Sequence, residues 1–491
     1  MDAALEKRLK RHVIGKPHRF LAIAPLGFEA TLASELQGFG LEFADTESAP
    51  RVVADGKVEF TAKITEAWKA VAYSRIANRI LMHIADFKAE NFRELEKKAA
   101  EVPWELYLQC HPELYETRNF SSKVELSSLG RSNVGCEVEG SLDIHVTCKH
   151  SRLYHSDAIA ERLYKVIDAC PTPSSSWTRS VRDPYGSDPH LSKDAAPKQN
   201  LIVTLTDDRC TLWLDLAGKE LYKRGHERFV NDAPLKETIA AGMILEAIEI
   251  LRLRAAHSAQ DDTAPANITL IDPMAGSGTF SLEAAEMAHG FIPGKNRDFA
   301  LKHQPAFKPA TWNHIIKQEC VILSGTPNGV ESKNLIANIL TSDISEKAVG
   351  IITHNVETGP LAGIAPKPIT PQRRDFFSYT AQEMADLCGE TAPVIVLNPP
   401  YGKRLDFNAP KLYTQIGKKL AELSQGLTPL GKSLTVAILA PKDDSRPGST
   451  YTCTANLLRE CPGLSPEHNQ AAKRIATSHG GFSLNLFVAT I

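Results

Sequence analysis

The second half of the chain alternates short apolar runs with segments of helical spacing. Its apolar runs lie at 267–271, 339–340, 394–397 and 434–439. Apolar strands separated by helices predict a parallel sheet that is buried on both faces. Two further strand candidates, at 475–477 and 484–488, flank Gly480-Gly481 and predict an antiparallel hairpin. We therefore expect an α/β domain whose mostly parallel sheet ends in a hairpin.

The first half mixes strand and helix patterns without a visible repeat. Its strand candidates lie at 20–24, 52–53, 58–60, 141–150, 200–205 and 211–216. Helical patterns separate several of them, which predicts an α+β region. Residues 171–199 carry five prolines, and a basic stretch at 219–228 follows. We expect a hinged junction within these two stretches, with one domain over 1–215 and a second over 216–491.

Composition limits the class of protein. The 491 residues exceed a usual domain of about 100–150 residues, and 43% of them are hydrophobic and 23% charged, which is a globular balance. Lys and Arg total 56 against 58 Asp and Glu, which excludes a uniformly basic coat but permits local basic faces. No apolar stretch is long enough to predict a membrane span. The N-terminus lacks the apolar core of a secretory signal. The nine cysteines include no CxxC pair, so we expect no metal site, no disulfide framework and a cytoplasmic location.

The segment from Asp272 to Thr279 (DPMAGSGT) joins an apolar strand to a helix. Gly276 and Gly278 permit the backbone to approach a ligand where a side chain would collide. The helix that follows offers unpaired N–H groups at its start. The Lys-Ser/Thr pair of a phosphate-binding P-loop is missing. The segment is therefore a candidate ligand turn of another kind, with an ordinary tight turn as the alternative.

The motif Asn398-Pro399-Pro400-Tyr401 follows the most apolar strand, at the sheet edge where open parallel sheets bind ligands. Because the prolines remove two N–H donors, the Asn398 side-chain oxygen and a nearby carbonyl can accept both hydrogens of an exocyclic amine. Tyr401 offers a ring face for a planar base. Since only the ring is used in this interpretation, we expect Tyr401→Phe to be nearly silent. The alternative is a proline-rich strand exit with a packed tyrosine.

Two carboxylates complete the outline of a cofactor site. Asp343 ends a strand candidate and could accept both hydroxyls of a ribose. Asp375, followed by Phe376, lies after a third strand candidate and could accept an adenine amino group. Each could instead be a solvated loop carboxylate.

At these residues the sequence resembles the class I S-adenosylmethionine-dependent methyltransferases that modify exocyclic amines. The Asn-Pro-Pro-Tyr motif occurs in adenine-N6 and guanine-N2 enzymes, so it indicates the amine and not the base. Residues 214–227 (LDLAGKELYKRGHE) and 233–244 (APLKETIAAGMI) look like the start of the catalytic domain in the THUMP-containing bacterial 23S ribosomal RNA guanine-N2 methyltransferases. Residues 20–41 and 56–87 look like the N-terminal RNA-binding region of that family.

The resemblance implies a role for each candidate residue. Residues 1–215 would hold a ferredoxin-like part and a THUMP domain, and 216–491 a Rossmann-like domain that binds S-adenosyl-L-methionine. The methionine and ribose side of the cofactor would contact Asp272, Pro273, Gly276, Gly278 and Thr279. Asp343 would be the ribose acid, Asp375 with Phe376 would form the adenine pocket, and the catalytic residues would be Asn398, Pro399, Pro400 and Tyr401. Ala275 departs from the family, because many members carry Cys there.

The implied substrate is 23S ribosomal RNA or a large-subunit precursor, methylated at the N2 amine of a guanine by a monomeric enzyme. Lys223, Arg224 and Arg228 precede the catalytic domain and are expected to contact RNA phosphates, which would make binding salt-sensitive; a solvated charged face is the alternative. Two other functions remain open. One is an adenine-N6 methyltransferase with the same motif, and the other is a non-catalytic RNA-binding or ribosome-assembly protein.

Overall fold

The computed structural model contains two seven-stranded sheets, one in each half of the chain. It describes residues 3–43, 45–108, 142–169, 199–231, 234–257, 267–317, 335–401, 408–444 and 452–491. Most of the proline-rich stretch at 171–199 and the insert at 321–333 therefore lie outside the described residues.

The N-terminal sheet is antiparallel except for one parallel pair. Its strands are β1 (Pro17–Ile23), β2 (Arg51–Ala54), β3 (Lys57–Lys63), β4 (Arg79–Lys88), β5 (Leu142–Lys149), β6 (Gln199–Thr206) and β7 (Arg209–Asp215). They follow the order β2-β3-β1-β4-β7-β6-β5, in which only β5 and β6 run parallel. The helices are α1 (Ala3–Leu9), α2 (Glu29–Gly38), α3 (Ile64–Tyr73), α4 (Phe92–Ala100) and α5 (Ser156–Asp168). Two helices, α4 and α5, enclose a separate small core with β6 and β7.

The C-terminal sheet has the predicted architecture. Its strands are β8 (Ile268–Asp272), β9 (Ile336–Asp343), β10 (Gln372–Arg373), β11 (Ala392–Leu397), β12 (Thr435–Pro441), β13 (Lys473–His479) and β14 (Phe482–Thr490). Its helices are α6 (Glu237–His257), α7 (Thr279–Ala288), α8 (Pro309–Lys317), α9 (Glu346–Thr358), α10 (Ala381–Cys388), α11 (Ala409–Leu427) and α12 (Cys453–Glu460). The order is β10-β9-β8-β11-β12-β14-β13. Only the pairs that involve β14 are antiparallel. The predicted mostly parallel sheet with a C-terminal hairpin is confirmed.

The register of the parallel strands brings four strand ends to one edge. Asp272 at the end of β8 pairs with Thr341, and Asp343 at the end of β9 pairs with Arg373 of β10. On the other side, Ile271 pairs with Ile395 of β11. Because these strands run in the same direction, the residues that follow them all lie at the same edge of the sheet. This edge positions the candidate site.

The junction between the halves is packed rather than hinged. The main hydrophobic core includes side chains from both halves, among them Leu216 and Leu221 from the stretch that follows β7. The Leu216 amide donates to the Ile80 carbonyl at 3.0 Å, and the Leu221 amide donates to the Asn78 carbonyl at 2.8 Å. The predicted hinge is therefore wrong for residues 199–228. The basic residues of this stretch made it look solvent-exposed in the sequence, although the stretch also contains apolar residues that pack in the core.

A buried ion network joins the N-terminal region to the C-terminal half. Arg75 lies between α3 and β4, and its guanidinium donates to Glu283 of α7 at 3.0 Å. Arg224 donates to the other oxygen of Glu283 at 2.9 Å and to the Arg75 carbonyl at 2.8 Å. Burial acts to raise the pKa of Glu283, but the charges of Arg224 and Arg75 hold that pKa below its ordinary value. Since all three side chains are buried, removal of one partner would leave an uncompensated buried charge.

Candidate active site

The glycine turn between β8 and α7 has one glycine that faces open space. Gly276 has φ of 57°, and a Cβ atom built on it meets no other atom within 4 Å. Gly278 has φ of 76°, but a Cβ there would come within 2.9 Å of Ile352 on α9. The two predicted glycines therefore have different reasons to lack a side chain. Gly276 leaves room on the open side of the turn, whereas Gly278 permits α9 to pack.

Asp272 supports this turn from its buried side through hydrogen bonds. Its side chain is 1% exposed and accepts a hydrogen bond from the Ser281 hydroxyl at 2.8 Å, and Ser281 accepts one from Thr341 at 2.8 Å. Burial, with a smaller contribution from the charge of Asp343, raises the pKa of Asp272 to about 7. The carboxylate therefore connects β8 to α7. A cofactor contact at Asp272, at the buried Pro273 or at Thr279 stays a prediction.

Asp343 joins the end of β9 to the glycine turn. One of its carboxylate oxygens accepts the Gly276 amide at 2.9 Å, and the other accepts the Ser345 amide at 2.8 Å. Each carboxylate oxygen has two acceptor sites, so both retain capacity for a ligand hydroxyl. The next residue, Ile344, is 65% exposed. The sequence analysis did not single out this exposed side chain, although an apolar residue between a strand end and a helix start was a usable signal.

Asp375 and Phe376 differ in what they present. The Asp375 side chain is exposed, and one of its oxygens accepts the Phe377 amide at 3.0 Å. The Phe376 ring is 2% exposed and packs in a core cluster with Tyr379 and Met384. The Phe376 ring belongs to the core, so Asp375 is the exposed member of the pair, and the predicted adenine pocket at Asp375 and Phe376 stays a prediction.

The Asn-Pro-Pro-Tyr motif leaves β11 with an unpaired acceptor. The Asn398 side-chain oxygen is buried and has no hydrogen-bond partner among the described residues. An unsatisfied buried acceptor costs about 1–3 kcal/mol, and native structures contain few of them. Pro399 is buried and Pro400 is exposed. The geometry therefore leaves an amide oxygen available at the sheet edge where ligands of this architecture bind.

Tyr401 is held by the tip of the C-terminal hairpin. Its hydroxyl lies 3.1 Å from the His479 Nδ1 atom, and its ring stands edge to face against Phe482 with 5.6 Å between ring centroids. These two residues flank Gly480-Gly481. Sequence reasoning identified this turn and overlooked its neighbours. Their aromatic and imidazole side chains beside a glycine pair were the signal.

A loop before α6 covers the glycine turn. Arg228 donates to the Thr279 hydroxyl at 2.7 Å and to Glu237 at 2.9 Å. The buried Asn355 side chain accepts the Phe229 amide at 2.9 Å and donates to the Phe229 carbonyl at 2.9 Å. This loop therefore connects the turn to α9.

Two of the three predicted phosphate-binding residues are not available for that role. The Arg224 side chain is 3% exposed and lies in the ion network, and the Arg228 side chain is 8% exposed and binds the glycine turn. Glu283 holds the Arg224 guanidinium, and Glu237 and Thr279 hold that of Arg228, so neither predicted RNA contact has support in the structure. Lys223 is exposed, so its contact with RNA stays a prediction.

Neither a metal-binding cluster nor a membrane-spanning helix occurs among the described residues. They contain no group of three or more His, Cys, Asp or Glu side chains that could hold a metal ion. No helix in the same part of the chain is long and apolar enough to cross a membrane.

Comparisons with known proteins give a match to one segment in each half of the chain. Residues 224–437 match the family described as "RMKL-like, methyltransferase domain", and residues 19–81 match the "RlmL ferredoxin-like domain". The chain carries an RMKL-like methyltransferase domain behind an RlmL-type ferredoxin-like domain. The matched part of the methyltransferase domain runs from the buried Arg224 into β12 and includes the glycine turn and the Asn398 motif.

Relatives and solved structures resemble the chain over most of its length. The "Ribosomal RNA large subunit methyltransferase K/L" of Allochromatium vinosum is 25% identical over 411 residues, which cover 82% of this chain and 46% of that protein. The chain thus spans about half the length of the K/L proteins it matches. The "Putative RNA methyltransferase YpsC" of Bacillus subtilis is 26% identical over 84% of this chain and 86% of that protein. The crystal structure of SMU.472, a putative methyltransferase complexed with SAH, has a TM-score of 0.63 at 20% identity and covers 96% of this chain and 98% of that chain, which shows a shared fold.

Proposed function

We propose that this protein transfers a methyl group from S-adenosyl-L-methionine to the exocyclic N2 amine of a guanine in 23S ribosomal RNA. The buried Asn398 oxygen at the end of β11, which has no hydrogen-bond partner in the described part of the chain, carries the proposal. It lies at the same sheet edge as the glycine turn and Asp343. An acceptor without a partner at this place suits a ligand that brings its own N–H donors.

The cofactor side of the proposal rests on Gly276, Asp343 and Asp375. Open space beside Gly276 leaves room for the methionine part of the cofactor, and the Asp343 carboxylate has acceptor capacity for the ribose hydroxyls. Asp375 is exposed beyond β10 and would accept the adenine amino group. S-adenosylmethionine supplies a methyl group that is already activated on a sulfonium sulfur.

The residues of the motif would position the target amine. The guanine must leave its stack, because an amine inside a helix cannot reach the methyl group. Asn398 and the Pro399 carbonyl would accept the two amine hydrogens and direct the nitrogen lone pair toward the methyl carbon. In an in-line displacement the N–C bond forms while the C–S bond breaks, and the amine then loses one proton to solvent. Positioning at near-attack distance supplies the rate gain.

The choice of ribosomal RNA and of guanine has separate support. The K/L proteins that the chain matches are named as large-subunit ribosomal RNA methyltransferases. The motif itself would also accept an adenine amine. The ferredoxin-like domain is shared with the RlmL type, and it favours RNA over duplex DNA as the substrate.

The experiment that tests the proposal identifies the methylated nucleoside. Purified protein is incubated with labelled S-adenosylmethionine and either 23S ribosomal RNA from a strain that lacks the protein or duplex DNA, and the products are digested and analysed by mass spectrometry. We expect N2-methylguanosine from the RNA alone. N6-methyladenosine from either substrate would establish the adenine alternative. Absence of both products, with no cofactor binding by calorimetry, would establish the non-catalytic alternative.

A further inference from the structure

His479 lies at the tip of the C-terminal hairpin, beside the tyrosine of the catalytic motif. It is the last residue of β13, and Phe482 begins β14 on the other side of the two-glycine turn. The Tyr401 hydroxyl lies 3.1 Å from the His479 Nδ1 atom. The hairpin is far from the motif in sequence, so the fold alone creates this contact.

The other neighbours of His479 determine its protonation and tautomer. Burial, followed by the charge of Lys236, lowers the pKa of His479, and the Pro234 backbone acts more weakly to raise it. Proline has no N–H group, so only its carbonyl could interact with an imidazole N–H. In the neutral ring with its hydrogen on Nε2, Nδ1 accepts the hydrogen of the Tyr401 hydroxyl.

The two contacts from the hairpin restrict different motions of the Tyr401 ring. The hydroxyl lies on the Cβ–Cγ axis of tyrosine, so a hydrogen bond to it fixes the direction of that axis and not the rotation of the ring about it. Phe482, packed edge to face at an interplanar angle of 72°, opposes that rotation. Together they determine the plane in which the ring face is offered.

We propose that His479 is a positioning residue for methyl transfer: through the Tyr401 hydroxyl it holds the ring at the angle at which the target base stacks. The inference rests on the proposed function. It also corrects the expectation that only the ring face of Tyr401 is used.

The proposal predicts a pH dependence with a definite sign. The charged or titratable groups that face His479 among the described residues are Lys236 and Tyr401. Protonation converts Nδ1 from an acceptor to a donor, so the Tyr401 hydroxyl can keep this contact only by rotating its hydrogen away and accepting instead, beside a partly buried positive charge. Activity should therefore fall as the pH drops through the lowered pKa of His479, below 6.5. This fall should be absent in Tyr401→Phe, which lacks the bond at every pH.

The test is a double-mutant cycle in single-turnover methyl transfer to 23S ribosomal RNA. Tyr401→Phe and His479→Leu should each slow transfer by about tenfold, the effect of one hydrogen bond, and the double variant should be no slower than either. His479→Asn places an amide oxygen where Nδ1 lay and should restore most of the rate. His289→Leu, at the far end of α7, is the matched control and should leave the rate unchanged. A wild-type rate in Tyr401→Phe, or multiplicative losses in the double variant, would overturn the proposal.

An NMR titration of the His479 ring tests the bond without RNA or cofactor. A donated hydrogen bond at Nδ1 stabilises the neutral ring, so Tyr401→Phe should raise the pKa of His479. An unchanged pKa would overturn the positioning role even in an active enzyme. An inactive wild-type protein in which Tyr401→Phe still raises this pKa would instead contradict the proposed function.

Discussion

At the scale of single residues, the glycine turn shows why one motif carries several constraints. Gly276 borders open space, Gly278 borders Ile352, and Asp272 is buried beneath both. The motif predicted that the backbone approaches a ligand here. The open space lies beside Gly276, so the predicted approach belongs there and not at Gly278, which is already used to pack α9.

A side chain at Gly276 should block the cofactor and leave the fold intact. Gly276→Val would place its methyl groups in the open space beside the turn, and S-adenosylmethionine binding measured by calorimetry should be lost. The positive φ adds a strain of about 1–2 kcal/mol. Gly431→Val is the matched control, since Gly431 has φ of 72° and no atom within 4 Å of a built Cβ. If both folded variants bound the cofactor equally well, Gly276 would not face it.

Sequence reasoning placed polar residues at the correct sheet edge but could not tell which of them are accessible. Asp343 and Asn398 follow their strands as the strand-end rule predicts. Asp272, Phe376 and Arg224 have the expected residue types but are buried. Their burial depends on Ser281, on the core around Tyr379 and on Arg75, and the Arg224–Arg75 contact joins residues that are far apart in the sequence.

At the scale of secondary-structure elements, the loop over the glycine turn depends on one side chain of α9. The Asn355 amide group holds the Phe229 backbone by both its N–H and its carbonyl, and the side chain is 3% exposed. The Phe229 ring itself is exposed and stacks on His354 with ring centroids 4.2 Å apart. Because Arg228 of the same loop binds Thr279, these contacts would limit the motion of the glycine turn.

Removal of the Asn355 side chain should loosen this loop. Asn355→Ala leaves two backbone groups unpaired and should destabilise the protein by about 1–3 kcal/mol. We expect the affinity for S-adenosylmethionine to fall as well. Asn469→Ala is the matched control, because Asn469 donates to two backbone carbonyls, at 2.9 and 3.1 Å, outside the site. The two variants are compared by thermal unfolding and calorimetry, and equal cofactor affinities would show that the loop does not shape the site.

The elements themselves were mostly predictable, since β8, β11 and β12 are buried on every residue and appear as apolar runs. The two-residue β10 could not be predicted, because it pairs only with Ser342 and Asp343 and has no pattern of its own. The role of the hairpin tip was also hidden. A glycine pair indicates the turn but not the residue that the turn contacts.

At the scale of the whole molecule, the two domains share one core and one ion network. The apolar residues after β7 and the triad of Arg75, Arg224 and Glu283 join the ferredoxin-like domain to α7. This helix begins at the glycine turn. The N-terminal region is therefore packed against the helix that starts at the candidate site, and the proposed RNA substrate would contact both regions.

Substitutions of two neighbouring basic residues should have different effects, one on stability and the other on RNA binding. Arg224→Ala leaves Glu283 with one cation and should cost roughly 3 kcal/mol in the free energy of unfolding. Lys223→Ala should change stability by less than about 0.5 kcal/mol but weaken binding to ribosomal RNA and reduce its salt dependence by about one unit of slope. Denaturant unfolding and RNA titrations at several salt concentrations measure both effects. Loss of RNA affinity in a folded Arg224→Ala protein would contradict its structural role.

We propose that Asn398 accepts the target amine during methyl transfer. Single-turnover kinetics with 23S ribosomal RNA measure this role. Asn398→Ala removes the acceptor and leaves Gly276 and Asp343 in place, so cofactor affinity by calorimetry should persist. The rate should fall on the order of 10²–10³-fold, about 3–4 kcal/mol of transition-state stabilisation. Asn338→Ala, an exposed asparagine on β9, is the control and should keep the wild-type rate. A wild-type rate in Asn398→Ala would contradict the account and require a different catalytic site.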